Sequence, residues 1–240
     1  MWCRRIFSLF VLLLWCFPCG LAIAGTFLDD FSDNKLGDKW FVTKKRATGK
    51  EIVEADGILK FDAKGTDVVT GIRYQETFDL TKGSLIVECD YIAGYQQTYI
   101  SFNSEPSDTE AWDKQPMFIF IVVNGVYQFV GGGGPAIDNP INFNVGQEEW
   151  HHYRVELSSP SGKKVPFKTT IDNNKFDSAG KIDIDGMDSA KIYVYFEVWT
   201  PSGKPTSLDN VSLTSPSIVG NSAVDRYGKL ATAWGILKRS

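Results

Sequence analysis

From about residue 26 to residue 213 the apolar side chains of this chain recur at every second position, broken by clusters of Gly, Asp, Asn, Pro and Ser. Alternation with a period of two marks half-buried strands, and those clusters are turn formers. The pattern predicts strands at 26–31, 58–62, 68–78, 84–92, 98–102, 118–123, 127–130, 152–157, 167–171, 191–199 and 207–213. No amphipathic helical pattern separates them. Short strands divided by turns predict an all-β fold: a two-sheet antiparallel jelly-roll sandwich over residues 25–214, with the first and last strands as neighbours. Past residue 214 the pattern changes. Leu230, Trp234 and Leu237 stand at i, i+4 and i+7 with Lys229, Lys238 and Arg239 around them, so the tail 215–240 predicts a short amphipathic helix, weakened by Gly235.

The first 24 residues belong to neither pattern. Arg4 and Arg5 precede an apolar run from residue 6 to residue 17, and Ala22-Ile23-Ala24 offers a small-residue cleavage site before Gly25. That arrangement predicts a secretory signal peptide, and the run is short for a membrane span, so no stable span is expected after its removal. Of the chain's 25 basic residues two fall in the leader, leaving 23 against 29 acidic residues, a net charge of −6. A nucleic-acid partner is disfavoured, since such binding needs a basic face to neutralise phosphates. Cys3, Cys16 and Cys19 also leave with the leader. Cys89 remains alone, which rules out an internal disulfide and a Cys-rich metal site.

Alternation then assigns faces. In "EWHHYRVEL" (149–157) His151 travels with Tyr153, Val155 and Leu157, and His152 with Trp150, Arg154 and Glu156. The two imidazoles therefore point apart, His151 as a hydrogen-bonded core histidine and His152 as a solvated surface residue. In "KIYVYFEVW" (191–199) Ile192, Val194, Phe196 and Val198 face the core, which leaves Tyr193, Tyr195, Glu197 and Trp199 on the other side. "TYISFN" puts Tyr99, Ser101 and Asn103 opposite Ile100 and Phe102. "LIVECDY" puts Glu88 and Asp90 opposite Val87, Cys89 and Tyr91, so Cys89 reads as a buried, inert thiol. If these strands share one sheet, the outward side chains make an acidic, tyrosine-rich groove, with Trp112 of "SEPSDTEAWDKQP" at its rim. The competing reading is that a loop or the tail covers this face. "VGGGGPAIDNP" (130–140) has the glycines of a phosphate loop without its GK[ST], and predicts a flexible loop beside the face.

"EWHHYRVEL" followed by "FKTTIDNNKFD" resembles the Trp-His strand and hairpin of laminin-G-type domains in the concanavalin A-like lectin/glucanase superfamily. "TFLDDFSDNKLGDKW" is similar to the opening strand and turn of that superfamily, and "SLDNVSLTS" to the closing strand of secreted carbohydrate-binding jelly rolls. The resemblance implies a concanavalin A-like sandwich that either binds or hydrolyses glycans. Glycoside hydrolysis needs two carboxylates flanking the scissile bond, about 5–5.5 Å apart for retention. The nearest match to the glucanase pattern is "ECDYIA", where Ile92 and Ala93 stand in place of the second Glu. A likeness to secreted keto-disaccharide hydrolases is confined to the opening strand and the closing Asp-Asn-Val. The reading favoured is a secreted, lectin-like polysaccharide- or glycan-binding module without catalysis, with Glu88, Asp90, Tyr99, Trp112, Tyr193, Tyr195, Glu197 and Trp199 as ligand contacts. The alternatives are an extracellular glycoside hydrolase and a structural or adhesive protein-binding module. Oxygen-rich turns suit Ca²⁺, and the resemblance implies Asp30 and Asp209 as ligands of a structural calcium ion. The tail is similar to short C-terminal tags that dock a sorting or surface partner.

Overall fold

The structure, a computed structural model, describes residues 24–45, 52–61, 68–93, 97–185, 187, 190–200 and 206–218. All of the leader but Ala24, and the tail beyond residue 218 with its expected helix, lie outside these residues. Among the described residues no helix is long and apolar enough to cross a membrane.

In chain order the first strands are β1 (Gly25–Asp29), β2 (Trp40–Lys45), β3 (Ile52–Ala55), β4 (Ile58–Phe61), β5 (Val68–Tyr74), β6 (Phe78–Asp79), β7 (Leu85–Ala93) and β8 (Gln97–Asn103). There follow β9 (Met117–Val123), β10 (Val126–Gly132), β11 (Ala136–Ile137), β12 (Asn142–Asn144), β13 (Glu149–Leu157), β14 (Lys164–Ile171), β15 (Phe176–Asp183), β16 (Lys191–Thr200) and β17 (Thr206–Ser215). Single 3₁₀ turns stand at Leu80–Lys82 and Ala111–Asp113.

These strands form two antiparallel sheets. One runs β11-β15-β14-β13-β7-β17-β4-β3, with β1 also on β17; the other runs β12-β10-β9-β8-β16-β5-β2, with β6 also on β16. The expected neighbourhood of first and last strands is present, Asp29 lying opposite Val211. Two-residue turns set two hairpins: Asp56-Gly57 joins β3 to β4 and Asn124-Gly125 joins β9 to β10, all four residues at positive φ, the type I′ geometry that Asp-Gly and Asn-Gly favour. The first strand stops earlier than its pattern predicts. Asp29 Oδ1 accepts from Phe31 N at 3.0 Å, and Phe31 takes φ 49° and turns its ring fully into the core.

Alternation fills the space between the sheets. Val87, Cys89 and Tyr91 of β7, Tyr153, Val155 and Leu157 of β13, and Leu208, Val211 and Leu213 of β17 meet Ile192, Val194, Phe196 and Val198 of β16 and Phe118 and Phe120 of β9. Cys89 is fully enclosed, and burial holds its thiol well above the ordinary range. Two tyrosines tie the layers together across the core. Tyr127 of β10 sits 2.6 Å from Thr169 Oγ1 of β14, and Thr169 in turn donates to Arg154 O at 3.0 Å, which leaves Tyr127 as the donor. Tyr91 of β7 donates to Glu197 O of β16 at 3.2 Å. The packed chain continues to Ile218, buried against Gly25.

The glycine-rich stretch is not a loop beside the outward face. Gly131 and Gly132 belong to β10, and the chain then crosses to β11 in the other sheet. A Cβ on Gly131 would stand 1.8 Å from Pro135 O, so glycine there allows the crossover to fold tightly on itself.

Tyr127→Phe is expected to lower stability by about 1–2 kcal/mol, because it removes a buried inter-sheet hydrogen bond with little change in volume. Urea unfolding measures it, and an unchanged midpoint would show that the pair contributes nothing.

Candidate functional site

The acidic, tyrosine-rich groove is not assembled as the alternation suggests, because its strands belong to different sheets. Tyr99 of β8 and Tyr193, Tyr195, Glu197 and Trp199 of β16 lie on the eight-stranded sheet, whereas Glu88 and Asp90 of β7 lie on the outer side of the nine-stranded one. There they are answered by basic groups of β13. Arg154 donates to Glu88 Oε1 at 2.8 Å, and His152 Nδ1 lies 2.8 Å from Asp90 Oδ1, with Nε2 at the ion-pair distance of 3.8 Å from Glu88. Pairing with Asp90 first, then with Glu88, raises the His152 pKa to about 9. His152 is thus a half-buried partner of two carboxylates rather than a solvated surface residue. His151 points the other way, as predicted, buried with Nδ1 2.8 Å from Asp172 Oδ2.

The proposed calcium ligands are engaged locally. Asp30 accepts from Ser32 N at 3.1 Å. Asp209 accepts from Asn210 N at 2.7 Å, beside a β17 bulge where Asn210 Nδ2 also donates to Asp90 Oδ2 at 2.8 Å. Among the described residues no group of three or more His, Cys, Asp or Glu side chains is placed to hold a metal ion.

The eight-stranded sheet carries the more unusual arrangement. Its register sets Thr43 of β2, Gly71 of β5, Glu197 of β16 and Tyr99 of β8 side by side. Gly71 is required here: a Cβ would lie 2.4 Å from Phe196 O and 2.6 Å from Glu197 Cγ. Into that space fits Glu197, 1% exposed. Its carboxyl accepts from Ala111 N at 2.9 Å, Ser101 Oγ at 3.2 Å and Thr43 Oγ1 at 3.4 Å. Burial, opposed by the Ala111 N–H, raises its pKa to about 8, so near neutrality it holds its proton and can donate to either hydroxyl.

Ala111 belongs to the segment 104–116, which lies over the sheet. Tyr195 OH accepts from Ser107 N at 2.8 Å and donates to Glu105 O at 3.2 Å. Asn103 donates to Ala111 O at 2.9 Å and to Lys114 O, and accepts from Glu105 N at 2.9 Å. Lys45 pairs with Glu110 and, at 2.7 Å, with Asp113. The competing reading from the sequence, a loop over this face, therefore holds for Tyr195 and Glu197: both are buried and anchor the loop instead of facing solvent. Tyr193, Trp199 and Tyr99 remain half-buried, Tyr99 donating to Gln97 Oε1 at 2.6 Å and packing against a second, small buried cluster of Met117, Ile119 and Ile121. Trp112, on the loop's 3₁₀ turn, is 46% exposed. Alternation could show that Glu197 leaves the core; only the loop's path shows what it meets there.

Between pH 4.5 and about 8 the folded protein keeps a proton on Glu197 that the unfolded chain has released, so this residue makes stability fall as pH rises through that window. Glu197→Gln should remove that part of the slope, so that between pH 5 and 8.5 the parent loses a few kcal/mol more stability than the variant, at roughly 1.4 kcal/mol per pH unit. Urea midpoints at pH 5 and 8.5 measure the difference, and parallel slopes in the two proteins would contradict it.

No protein-family model matches the chain, and no curated protein matches it. Solved structures do match. Peanut lectin, in complex with a nine-residue peptide, superposes with a TM-score of 0.53 and 11% identity over 80% of this chain and 97% of its own. Lectin UEA-II complexed with galactose gives 0.53 and 8% over 79% and 97%. The carbohydrate recognition domain of Emp47p gives 0.54 and 11% over 79% and 94%. Identities this low carry architecture and nothing finer, and what they carry is definite: the chain has the two-sheet jelly-roll fold of concanavalin A-like lectin domains.

Proposed function

We propose that this protein binds glycan on the outward face of the eight-stranded sheet, beside the segment 104–116, without cleaving it. The observation that carries the reading is Trp112. A large ring 46% exposed stands on a turn whose backbone is fixed from beneath by Glu197, Tyr195 and Asn103. A flat apolar ring on a rigid support is what stacking on a pyranose face requires, since little freedom is lost on binding. Trp199, Tyr99 and Tyr193, half-buried on the sheet below, supply further ring edges and hydroxyls. Binding rather than hydrolysis is supported by the fate of the nearest acids. Glu197 is enclosed, and Glu110 and Asp113 are held by Lys45, so these residues do not present the two free carboxylates that glycoside hydrolysis uses. The lectins and lectin domains with which the fold superposes support the same class of ligand. The signal-peptide pattern read in residues 1–24 supports export, and with it access to extracellular polysaccharide.

A glycan array with parallel measurement of reducing-sugar release tests this. Trp112→Ala is expected to weaken binding of the best glycan by about 1–3 kcal/mol, the range of a hot-spot truncation, with the melting temperature nearly unchanged. Trp199→Ala should weaken binding by a similar amount and also cost some stability, because that ring is partly packed. Release of reducing sugar by the wild-type protein would establish a hydrolase instead. Binding that neither tryptophan affects would move the site elsewhere.

A further inference from the structure

Among the described residues, one charged group on this face has no hydrogen-bonding partner. Arg73 of β5 has a side chain only 8% exposed, and its guanidinium lies between the rings of Phe41 at 4.9 Å and Tyr193 at 5.0 Å, with Tyr195 at 5.9 Å. Register explains the cage: Phe41 of β2 and Tyr195 of β16 are the cross-strand neighbours of Arg73, and Tyr193 is two residues along. The rings offer the cation π-faces rather than hydrogen-bond acceptors. Among the described residues its N–H groups make no hydrogen bond. Nε is buried with no partner, and the one carboxylate near it is Asp108 Oδ1, 3.9 Å from the nearer terminal nitrogen, on a side chain 79% exposed.

A buried charge is ordinarily both paired and hydrogen-bonded. Lys45 follows that rule, hydrogen-bonded to both Glu110 and Asp113. Arg73 is instead caged by rings and, among the described residues, given no hydrogen-bond acceptor. A planar fork of donors fixed between aromatic walls matches a carboxylate, which takes two parallel N–H bonds from a guanidinium, and the walls offer apolar area to the ring that bears it.

We infer that Arg73, framed by Phe41 and Tyr193, receives the carboxylate of an acidic saccharide, so that the glycan bound on this face contains uronate residues. Asp108, on an exposed side chain 3.9 Å from the guanidinium, is the counter-charge that the ligand's carboxylate displaces. This rests on the glycan-binding reading above and narrows it to a class of sugar.

The test is isothermal titration of the full chain with glucose, glucuronate, and neutral and uronate oligosaccharides of equal length. Each is run against the parent, Arg73→Lys, Arg73→Gln, Asp108→Asn and Trp112→Ala. The uronates are expected to bind at least tenfold more tightly than their neutral counterparts. Arg73→Gln should abolish that preference and Arg73→Lys reduce it severalfold, since an ammonium cannot form the bidentate pair. Asp108→Asn should tighten uronate binding severalfold, and its exposed position makes it independent of any folding defect in the Arg73 variants. Equal affinity for neutral and acidic sugars, or a uronate preference that survives Arg73→Gln, overturns the assignment. Neutral glycan binding that needs Trp112 but ignores charge would sink the Arg73 site and leave glycan binding standing. Glucuronate binding that needs Arg73, with oligosaccharides gaining nothing and Trp112 irrelevant, would do the reverse.

Discussion

A strand that sends every second side chain into the core must send the others out, and on β16 one of those others is Glu197. A carboxyl at the middle of a sheet face, beside Tyr99 and beneath the backbone of Ala111, cannot reach bulk water, so it must be satisfied where it stands. The solution involves three separate parts of the chain. Gly71 has no side chain and leaves the room, Thr43 and Ser101 supply hydroxyls, and the backbone of Ala111 closes over the top. The path of residues 104–116 across the sheet follows from that requirement, and with it the position of Trp112.

The same loop divides the outward face into a closed part and an open part. Tyr195 and Asn103 hold its backbone, and Lys45 holds Glu110 and Asp113, so polar contacts bind the covered region. What stays accessible is a margin of rings: Trp112 on the loop, with Tyr99, Tyr193 and Trp199 on the strands. Arg73 sits under this margin between Phe41 and Tyr193. The opposite face of the molecule shows the contrast. On the nine-stranded sheet Glu88 and Asp90 are answered by Arg154, His152 and Asn210, a chain of charges that neutralises itself.

The central strands were legible because their alternation is strong: β5, β7, β8, β9, β13, β16 and β17 are each found within a few residues of the predicted stretch. The strands at the ends of the two sheets were not. β2, β3, β11 and β12 have a neighbour on one side only and bury less, so "WFVTKK" or "NFN" carries no clear period. β15 was hidden for a different reason. "FDSAGKID" turns only Ser178 and Ile182 fully inward, and Gly180 is kept by a close approach in which a Cβ would meet Asp138 Oδ1 at 2.6 Å and Phe167 at 2.8 Å. Small residues chosen for clearance look like a turn.

The sequence by itself determined the layered β architecture and the face on which each strand residue lies, because a period of two is a local property of the extended backbone. It thereby separated His151 from His152, placed Cys89 in the core and set Tyr193, Tyr195, Glu197 and Trp199 apart from the hydrophobic side of β16. Only the tertiary structure decided which faces are neighbours. It put Glu88 and Asp90 on a different sheet from Tyr99 and Trp199, laid residues 104–116 over Glu197 and caged Arg73 where no described residue hydrogen-bonds to it. Sheet membership and loop paths depend on contacts between residues far apart in the chain, for example Ala111 with Glu197 and Arg73 with Tyr193. No local periodicity records such contacts.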